Sequence, residues 1–567
     1  MKPIAFSILK HICVMTIYVL MLIGPLYGQT TQWAIQLGGQ SSNAICTDLA
    51  ENVFITGSFI GNVDFDPGIG IVNLPHSTSG NNTYIAKLDS SGNLIWARGI
   101  SGTDVTSWGI DVDDFGNVYI AGLFYETADF NPDTITAYTL TATNQSAGNP
   151  DIFVLKLDAN GNFIWAFQIG TGGFESAGNL LVVNNNIYIT GRFSVTCDFD
   201  PDTGIFNLSP VSPEQVFISK FNNAGSFLWA VSLPLSYYGE FEPLALAYDN
   251  QNSLFVGSYG EIAKVDTAGT YLFKASFNNN PVSVQGYFYV KAISCDSAGN
   301  VFTCGFFSDT IDFDTDTASA FYLNANSSLN TFFCRLNNNL NLDWAKSFPQ
   351  FGSLLANSSN SAYSILSQGN SVYISGQFSD TLNLNPQAGT SFLFEHFADN
   401  LNNFNDSYLV KYTNSGTFVW GESFGGNLYD RSKVLAGAGN SLYHAGEFSD
   451  TADFNNGPVN QTLIFNGVGN FNVFIQKFAQ PITSVLNLNK QEGYYVFPSP
   501  SKGEIYFSSS LVRDFSSYSV RSIDGKIILS GETIESKLNM QKCLSGIYII
   551  EFSDKTKGKI VMRFIID

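Results

Sequence analysis

The stretch TYIAKLDSSGNLIWARGISGTDVTSWGIDVDDFGNVYIAGLF, residues 83–124, decides the fold. Its apolar residues alternate or cluster over strand-length segments, and Asp, Gly and Asn separate these segments. Two turns of the form Asp-x-x-Gly-Asn, Asp89 to Asn93 and Asp113 to Asn117, are short enough to join antiparallel neighbours as hairpins. The stretch therefore predicts β structure throughout.

The same pattern recurs along residues 30–480, which indicates a repeat architecture. Each copy has a strand ending in Asp, a VYI-x-G-x-F strand, an FI-x-K strand and an IWA strand, and the hairpins place them in that order from inside to outside. Two markers number the copies, and each gives seven. The aromatic residue of the IWA strand is Trp33, Trp96, Trp165, Trp229, Phe273, Trp344 and Trp420, and the basic residue of the FI-x-K strand is Lys87, Lys156, Lys220, Lys264, Arg335, Lys411 and Lys477.

The ends of the repeat array carry unpaired strands. The array opens on an IWA strand, Trp33 to Leu37, and closes on an FI-x-K strand, Val473 to Phe478. Pairing them completes a blade and removes two open edges. The sequence therefore predicts an all-β fold: a seven-bladed β-propeller of four-stranded blades, the last closed by the N-terminal strand, followed by a small β-sandwich.

The fourth copy shows where the variable loops lie. It has almost no connection between Gly257 and Ile262, where the other copies insert a segment. We expect these insertions to share one face, the loop face, with the connections between blades. The Asp-x-x-Gly-Asn hairpins then cover the opposite face, the hairpin face.

The N-terminus has the features of a secretory signal peptide. Lys2, Lys10 and His11 precede an apolar run that is shorter than a membrane span, and Gly28 offers a small residue for cleavage. A membrane anchor is the alternative, but no second apolar segment follows, so we expect no transmembrane segment after cleavage. The predicted domains are a signal peptide (1–28), the propeller (29–480), a linker (481–493) and a C-terminal domain (494–567).

Charge is distributed unevenly along the 567 residues, whose net charge is −21. Residues 29–489 have 14 basic and 39 acidic side chains, a net of −25, whereas residues 494–567 have 10 and 8, a net of +2. An acidic body repels phosphate backbones, so we expect no nucleic-acid partner. Cys304 and Cys334 fall on neighbouring strands, where a disulfide bond and two buried thiols are both compatible with the sequence.

Two family resemblances follow from these motifs. The pattern KLD-x-x-GN-x-IWA, GN-VYI-x-G-x-F and DFDP resembles bacterial SBBP β-propeller repeats, which implies the fold and no particular ligand. The C-terminal segments YVFPSPSKG (495–503), SIDGK (522–526) and LSGIYI (544–549) resemble the type A sorting domain of the type IX secretion system. Ser499 stands where Asn is common in that family. The family motif falls on Pro498, Pro500, Gly503, Asp524, Gly525, Gly546 and Tyr548.

The second resemblance implies export to the outer cell surface or the medium, with the type IX machinery as a partner. Such domains are small β-sandwiches that direct passage across the outer membrane.

Paired acids in the DFDP-type segments suggest a calcium hypothesis, because calcium binds carboxylate oxygens. Other copies replace one or both acids by Asn, which favours Asx-type turns instead. No cofactor other than calcium is suggested. The candidate calcium ligands are Asp64, Asp66, Asp198, Asp200, Asp312 and Asp314.

No catalytic residue emerges from the sequence. After signal cleavage the histidines are His76, His396 and His444, none in a metal-binding spacing, and no G-x-S-x-G motif occurs. We expect the basic residue of the FI-x-K strand to pair with an acidic turn side chain rather than with a ligand. The sequence thus favours a non-catalytic module that binds a protein or polysaccharide, and a glycan-acting enzyme or a structural adhesin component are the alternatives. Carboxylates clustered with aromatics at the channel mouth would favour the enzyme.

Overall fold

The computed structural model describes residues 31–566 apart from 78–79, 134, 144–147, 237–243, 278–286, 317, 327, 352–359, 387–390, 395–404, 455–460, 466–468, 480–495, 498–503, 508–512, 514, 523–525, 533–536, 541–545 and 555–557. Every named element is a β-strand, which confirms the all-β prediction. The chain divides into two compact units, Met1–Gln480 and Pro481–Asp567.

The described residues of the first unit form five four-stranded antiparallel sheets and one eight-stranded sheet, in which the long strand Leu94–Val112 pairs with the strand Asn82–Leu88 by its first part and with the strand Val118–Asp129 by its second. Divided at this long strand, these sheets give seven four-stranded units, here called blades 1 to 7. From the innermost to the outermost strand, they are: blade 1, β2 (Ala44–Thr47), β3 (Val53–Phe59), β4 (Asn82–Leu88) and the start of β5 (Leu94–Val112); blade 2, the rest of β5, β6 (Val118–Asp129), β8 (Asp151–Leu157) and β9 (Phe163–Ile169); blade 3, β10 (Glu175–Val183), β11 (Asn186–Phe193), β14 (Gln215–Asn222) and β15 (Phe227–Leu233); blade 4, β16 (Ala245–Tyr248), β17 (Ser253–Gly257), β18 (Glu261–Asp266) and β19 (Tyr271–Ser276); blade 5, β20 (Phe288–Cys295), β21 (Val301–Phe307), β24 (Asn330–Leu336) and β25 (Leu342–Ser347); blade 6, β27 (Ser361–Gln368), β28 (Ser371–Phe378), β31 (Asp406–Thr413) and β32 (Phe418–Phe424); blade 7, β33 (Asp430–Ala438), β34 (Ser441–Phe448), β37 (Asn472–Ala479) and β1 (Thr31–Leu37).

Short strands form in the insertions between the second and third strands of the blades, and one more, β26 (Gln350–Phe351), lies in the connection from blade 5 to blade 6. They are β7 (Thr139–Thr141), β12 (Cys197–Asp198) with β13 (Asn207–Leu208), β22 (Thr310–Asp312) with β23 (Tyr322–Asn324), β26 (Gln350–Phe351) with β29 (Thr381–Asn383) and β30 (Phe392–Phe394), and β35 (Ala452–Asp453) with β36 (Thr462–Leu463).

The innermost strands close a ring. Each contacts the innermost strand of the next blade, and β33 of blade 7 contacts β2 of blade 1. Apolar clusters fill the spaces between consecutive blades; one joins β3 and β4 to β34 and β37. This closed arrangement is a β-propeller, and its inner strands surround a central channel.

Blade 7 is built from both ends of the array. Strand β1 pairs antiparallel with β37, with Leu37 opposite Val473 and Trp33 opposite Lys477. The predicted pairing of the two unpaired strands is therefore confirmed. The same register, an aromatic residue opposite a basic one, recurs in the other six blades.

A polar seam crosses all four strands of blade 7, where other blades have largely apolar or small side chains. His444 is fully buried; its Nδ1 lies 3.1 Å from Gln476 Oε1, and its Nε2 lies beside Ser432 Oγ. Gln476 Nε2 donates in turn to Thr31 Oγ1 over 3.0 Å. Since Gln476 uses its amide nitrogen there, its oxygen faces the imidazole, which assigns the proton of neutral His444 to Nδ1.

Glycine in the VYI-x-G-x-F strand has a steric cause. A Cβ on Gly122 would lie 2.1 Å from the carbonyl oxygen of Thr106, and one on Gly446 would lie 2.1 Å from that of Arg431. The first strand approaches so closely because it contains a β-bulge opposite this glycine. Blades 2, 3, 5, 6 and 7 have the bulge at this same register.

Basic side chains of the third strand link each blade to the next. Lys156 Nζ lies 4.9 Å from the centre of the Tyr119 ring and donates to the Asn223 carbonyl, in the outer hairpin of blade 3, over 2.8 Å. We call this contact the latch. The predicted partner, a turn Asp, is wrong for this hydrogen bond, because the acceptor is a main-chain carbonyl one residue after the start of the turn. In blade 7, Lys477 also forms an ion pair with a turn acid, Glu51, at 3.2 Å. Latch hydrogen bonds occur from Lys87, Lys156, Lys220, Lys264, Arg335 and Lys477.

Cys304 and Cys334 are both buried free thiols. Cys304 lies opposite Phe333, whereas Cys334 lies opposite Thr303, so the two sulfurs project from opposite faces of the sheet. Strand adjacency alone suggested a bond, but side-chain alternation prevents it.

The second unit contains a three-stranded and a four-stranded antiparallel sheet. Ile505 of the smaller sheet shares one core with Val520, Ile550 and Phe552 of the larger. Two sheets around a common core form a small sandwich. Its strands are β38 (Val496–Phe497), β39 (Glu504–Phe507) and β42 (Lys537–Asn539) in one sheet, and β40 (Ser517–Ser522), β41 (Ile527–Gly531), β43 (Gly546–Asp554) and β44 (Gly558–Ile566) in the other.

Candidate ligand site in the propeller channel

The bulges place unlike side chains at equivalent positions of the channel wall. The bulged residue is Trp108 in blade 2, Lys291 in blade 5, Tyr363 in blade 6 and Lys433 in blade 7. A bulge leaves one residue outside the ladder and redirects its side chain. All four line the central cavity, so the bulge is the device by which this fold presents variable groups to the channel.

Two neighbouring cavities share Trp108, Arg431 and Lys433. The channel cavity, ≈ 510 Å³, is lined by the inner strands of all seven blades. The mouth cavity, ≈ 840 Å³, adds Tyr125, Glu126 and Phe471 from the loop face. Both volumes lie within the range of ordinary small-molecule sites.

Three cations converge on this region. Lys291 is 9% exposed, and its Nζ lies 5.2 Å from the centre of the Phe306 ring and 5.9 Å from that of Tyr363. Lys433 Nζ lies 5.1 Å from the same Tyr363 ring. Burial, with a smaller contribution from the charge of Lys433, lowers the pKa of Lys291 to about 7.

Arg431 is the third cation, and its position is fixed by neighbours. Its Nε lies 3.1 Å from Glu447 Oε2, and its guanidinium carbon lies 4.6 Å from the centre of the Phe471 ring. Glu447 is 3% exposed and also accepts a hydrogen bond from the Ser42 backbone. Glu447 therefore offsets the charge of Arg431 at the edge of the cluster.

Three acidic side chains line the mouth cavity, namely Asp104, Glu126 and Glu447, and Asp104 lies apart from the Arg431–Glu447 pair in the sequence and in its contacts. Burial raises the pKa of Asp104 above its ordinary value. Its Oδ1 is buried and has no hydrogen-bond partner within the described part of the chain. Trp108 and Tyr125 line the same cavity, so one space contains cations, a carboxyl acceptor and aromatic faces.

The calcium candidates lie in insertions away from this channel, and their first acids close turns. Asp64 Oδ1 accepts from the backbone nitrogens of Asp66 at 3.0 Å and Val72 at 2.8 Å. Asp198 Oδ1 accepts in the same way from Asp200 at 3.1 Å and Phe206 at 2.7 Å.

The remaining pair repeats this geometry. Asp312 Oδ1 accepts from the backbone nitrogens of Asp314 at 3.0 Å and Phe321 at 2.8 Å. The described residues contain no group of three or more His, Cys, Asp or Glu side chains that could hold a metal ion. Asx turns thus account for the first acid of each pair.

Most of the sorting motif lies outside the described residues: Pro498, Pro500, Gly503, Asp524 and Gly525. Gly546 begins β43, and Tyr548 in the same strand is buried and pairs in register with Ser522 of β40 and Phe564 of β44. Within the part of the chain that the structure describes, no helix has the length and apolar character of a membrane span.

Sequence reasoning missed the channel cluster. These residues could have been found because they do not occupy the repeated positions of the motif. Trp108 is the one tryptophan outside the IWA register, and Lys291, Arg431 and Lys433 fall outside the FI-x-K register.

Residues 495–567 match the family model of the secretion system C-terminal sorting domain. They form a type IX secretion sorting domain. The protein is therefore exported to the cell surface or the extracellular medium, and this domain interacts with the type IX machinery.

Other comparisons concern the propeller. A WD repeat-containing protein of Acanthamoeba polyphaga mimivirus is 25% identical over 260 residues, which are 40% of this chain and 18% of that protein. The WD40 domain of Neurospora crassa Pan2 has a TM-score of 0.32 at 8% identity, covering 66% of this chain and 89% of that domain. PorZ, a surface component of the Porphyromonas gingivalis type IX system, has a TM-score of 0.18 at 11% identity, covering 94% and 99%.

Proposed function

We propose that this protein is a non-catalytic extracellular binding module whose ligand occupies the channel at the loop face. The observation that carries the proposal is the bulge register, which places Trp108, Lys291, Tyr363 and Lys433 around one space. Positions that only support the fold repeat from blade to blade, whereas the bulged position is Trp, Gly, Lys, Tyr and Lys in blades 2, 3, 5, 6 and 7. Variation confined to the wall of a cavity is what a ligand site requires.

The proposal includes a complete export route. The sorting domain acts at the outer membrane, and residues 1–28 act earlier as a signal peptide. The KLD-x-x-GN-x-IWA and DFDP patterns support membership of the repeats in the SBBP type. A protein or a polysaccharide outside the cell is the partner.

A glycan-acting enzyme is the second candidate, because Asp104 has a raised pKa in a cavity with aromatic walls. A carboxyl group with a raised pKa can serve as a general acid. Glu447, the buried carboxylate across the cavity, is engaged by Arg431 at 3.1 Å. The binding module is favoured because both other carboxylates of this cavity are already engaged, Glu447 by Arg431 and Glu126 by the Thr103 hydroxyl group at 2.8 Å.

Trp108 provides a direct test. The other six tryptophans occupy the outer strands, so the fluorescence difference between the full chain and its Trp108→Phe variant reports the channel. Screening extracellular polysaccharides and surface proteins should find a ligand that changes emission of the unmodified chain and leaves that of Trp108→Phe unchanged. Equal changes in both proteins would place the ligand elsewhere, and release of shortened glycan products would favour the enzyme.

A further inference from the structure

We propose that the channel site recognises a carboxylated sugar residue of an extracellular acidic polysaccharide. This inference rests on the proposed function and adds the chemical class of its ligand. It combines three features of one space: a cation cluster, an acceptor for hydroxyl groups and aromatic faces.

The cation cluster points to an anionic ligand. The propeller region has only 14 basic residues against 39 acidic ones, yet Lys291, Arg431 and Lys433 converge on the channel. Lys291 and Lys433 approach one aromatic ring, that of Tyr363, from two different blades, at 5.9 and 5.1 Å. Like charges gathered in a confined space disfavour the empty site, and an anion bound between them relieves that repulsion.

The acidic body restricts where such an anion can bind. A net charge of −25 repels acidic polymers from most of the surface, so attraction is confined to the channel. A channel admits a chain end or a side branch more readily than the middle of a chain. Recognition of a terminal acidic residue therefore fits both the charge and the shape of the site.

The remaining wall distinguishes a sugar from a simple carboxylate. The Asp104 carboxyl lines the mouth cavity, where a carboxylate oxygen can accept a hydrogen bond from a sugar hydroxyl group. Trp108 and Tyr125 offer flat faces on which a sugar ring can lie. An acidic peptide would satisfy the cations but would bring fewer hydroxyl groups to Asp104.

The test uses the full chain and three matched probes: trigalacturonate, its neutral methyl ester and triglutamate. Calorimetry should show trigalacturonate binding at least about 10-fold more tightly than the ester, because each charge-assisted contact changes affinity by roughly that factor or more. Lys433→Met should weaken trigalacturonate binding by at least about 10-fold. Lys346→Met removes the same charge from outer strand β25 and should leave the affinity within about 2-fold of the unmodified chain.

Lys433 is chosen because it is half-buried, and equal melting temperatures of the variants show that both are folded. Equal affinity for the acid and its ester, with no effect of Lys433→Met, would overturn the carboxylate requirement. Tighter binding of triglutamate with the same dependence on Lys433 would overturn the sugar class. Absence of binding by all three probes would also overturn this inference, whereas the proposed function is decided separately by the Trp108-dependent screen.

Discussion

The hairpin face and the channel of this propeller use the same side chain, lysine, in opposite ways. On the hairpin-face side, Lys156 lies over Tyr119 and donates to a carbonyl of the next blade, and equivalent contacts recur around the ring. In the channel, Lys291 of blade 5 and Lys433 of blade 7 both lie near the Tyr363 ring of blade 6, at 5.9 and 5.1 Å from its centre. Repetition therefore distinguishes the lysines that link blades from those that line the channel.

The largest expected effect concerns the glycine that allows the bulge. In Gly122→Ala, the new Cβ would lie 2.1 Å from the Thr106 carbonyl oxygen and 2.8 Å from Ser107 Cα, so backbone must move. We expect a loss of about 4 kcal/mol in the free energy of unfolding, measured by urea denaturation. Gly369→Ala is the control, since φ is +61° there but nothing lies within 4 Å, and it should cost about 1 kcal/mol. Equal losses would show that the bulge imposes no steric demand.

The second prediction concerns acid sensitivity of blade 7. Burial lowers the pKa of His444 to about 4, below the ordinary value of 6.5, so the unfolded chain binds the proton more readily. Stability contributed by neutral His444 is present above pH 6.5 and is lost as the pH falls toward 4, by about 3 kcal/mol. Urea denaturation at both pH values should show a correspondingly smaller pH dependence in His444→Gln. An unchanged dependence would assign acid sensitivity to other groups.

The third prediction tests the latch. Lys156→Met keeps the length of the side chain but loses the charged hydrogen bond to Asn223 and the contact with Tyr119, so it should destabilise the protein by about 2 kcal/mol. Ligand affinity should be unchanged, because this side chain lies outside the channel. A stable Lys156→Met protein would make the latch dispensable.

The fourth prediction is smallest and opposite in sign. Lys291→Met removes a buried charge near Lys433, so it should raise the free energy of unfolding by about 1 kcal/mol at pH 6. The same substitution should weaken the binding of an anionic ligand in the channel. Thermal unfolding and ligand titration in the same buffer measure both changes. Loss of stability in Lys291→Met would place this lysine with the latch residues and erase the contrast between the two regions.

Much of the fold could be predicted because each blade repeats a local pattern. The opposition of Trp33 and Lys477 follows from strand period and from the unpaired ends of the array. The bulges could not be predicted, because one extra residue changes the register where the copies are least alike. The latch acceptor was missed for a related reason: a blade's own sequence does not indicate which atom of its neighbour it meets.

The candidate site was less predictable than the fold. The DFDP acids suggested a calcium site because they recur in several copies. In the structure the recurring first acid closes a turn, as Asp64 does. At the bulge register tryptophan occurs once, as Trp108, and lysine twice, as Lys291 and Lys433, so no motif repeats there from blade to blade. Trp108 of blade 2 and Lys433 of blade 7 line one cavity only because the ring closes and brings both blades to the same channel.

Closure of blade 7 by strands from both ends also orders events during synthesis. Strand β37, Asn472–Ala479, is the last strand of the ring in chain order, and the sorting domain lies after it, at residues 495–567. A chain that terminates early therefore lacks both a closed ring and the signal that the export machinery reads. Every chain that carries the sorting domain therefore also contains all the strands needed to close the propeller.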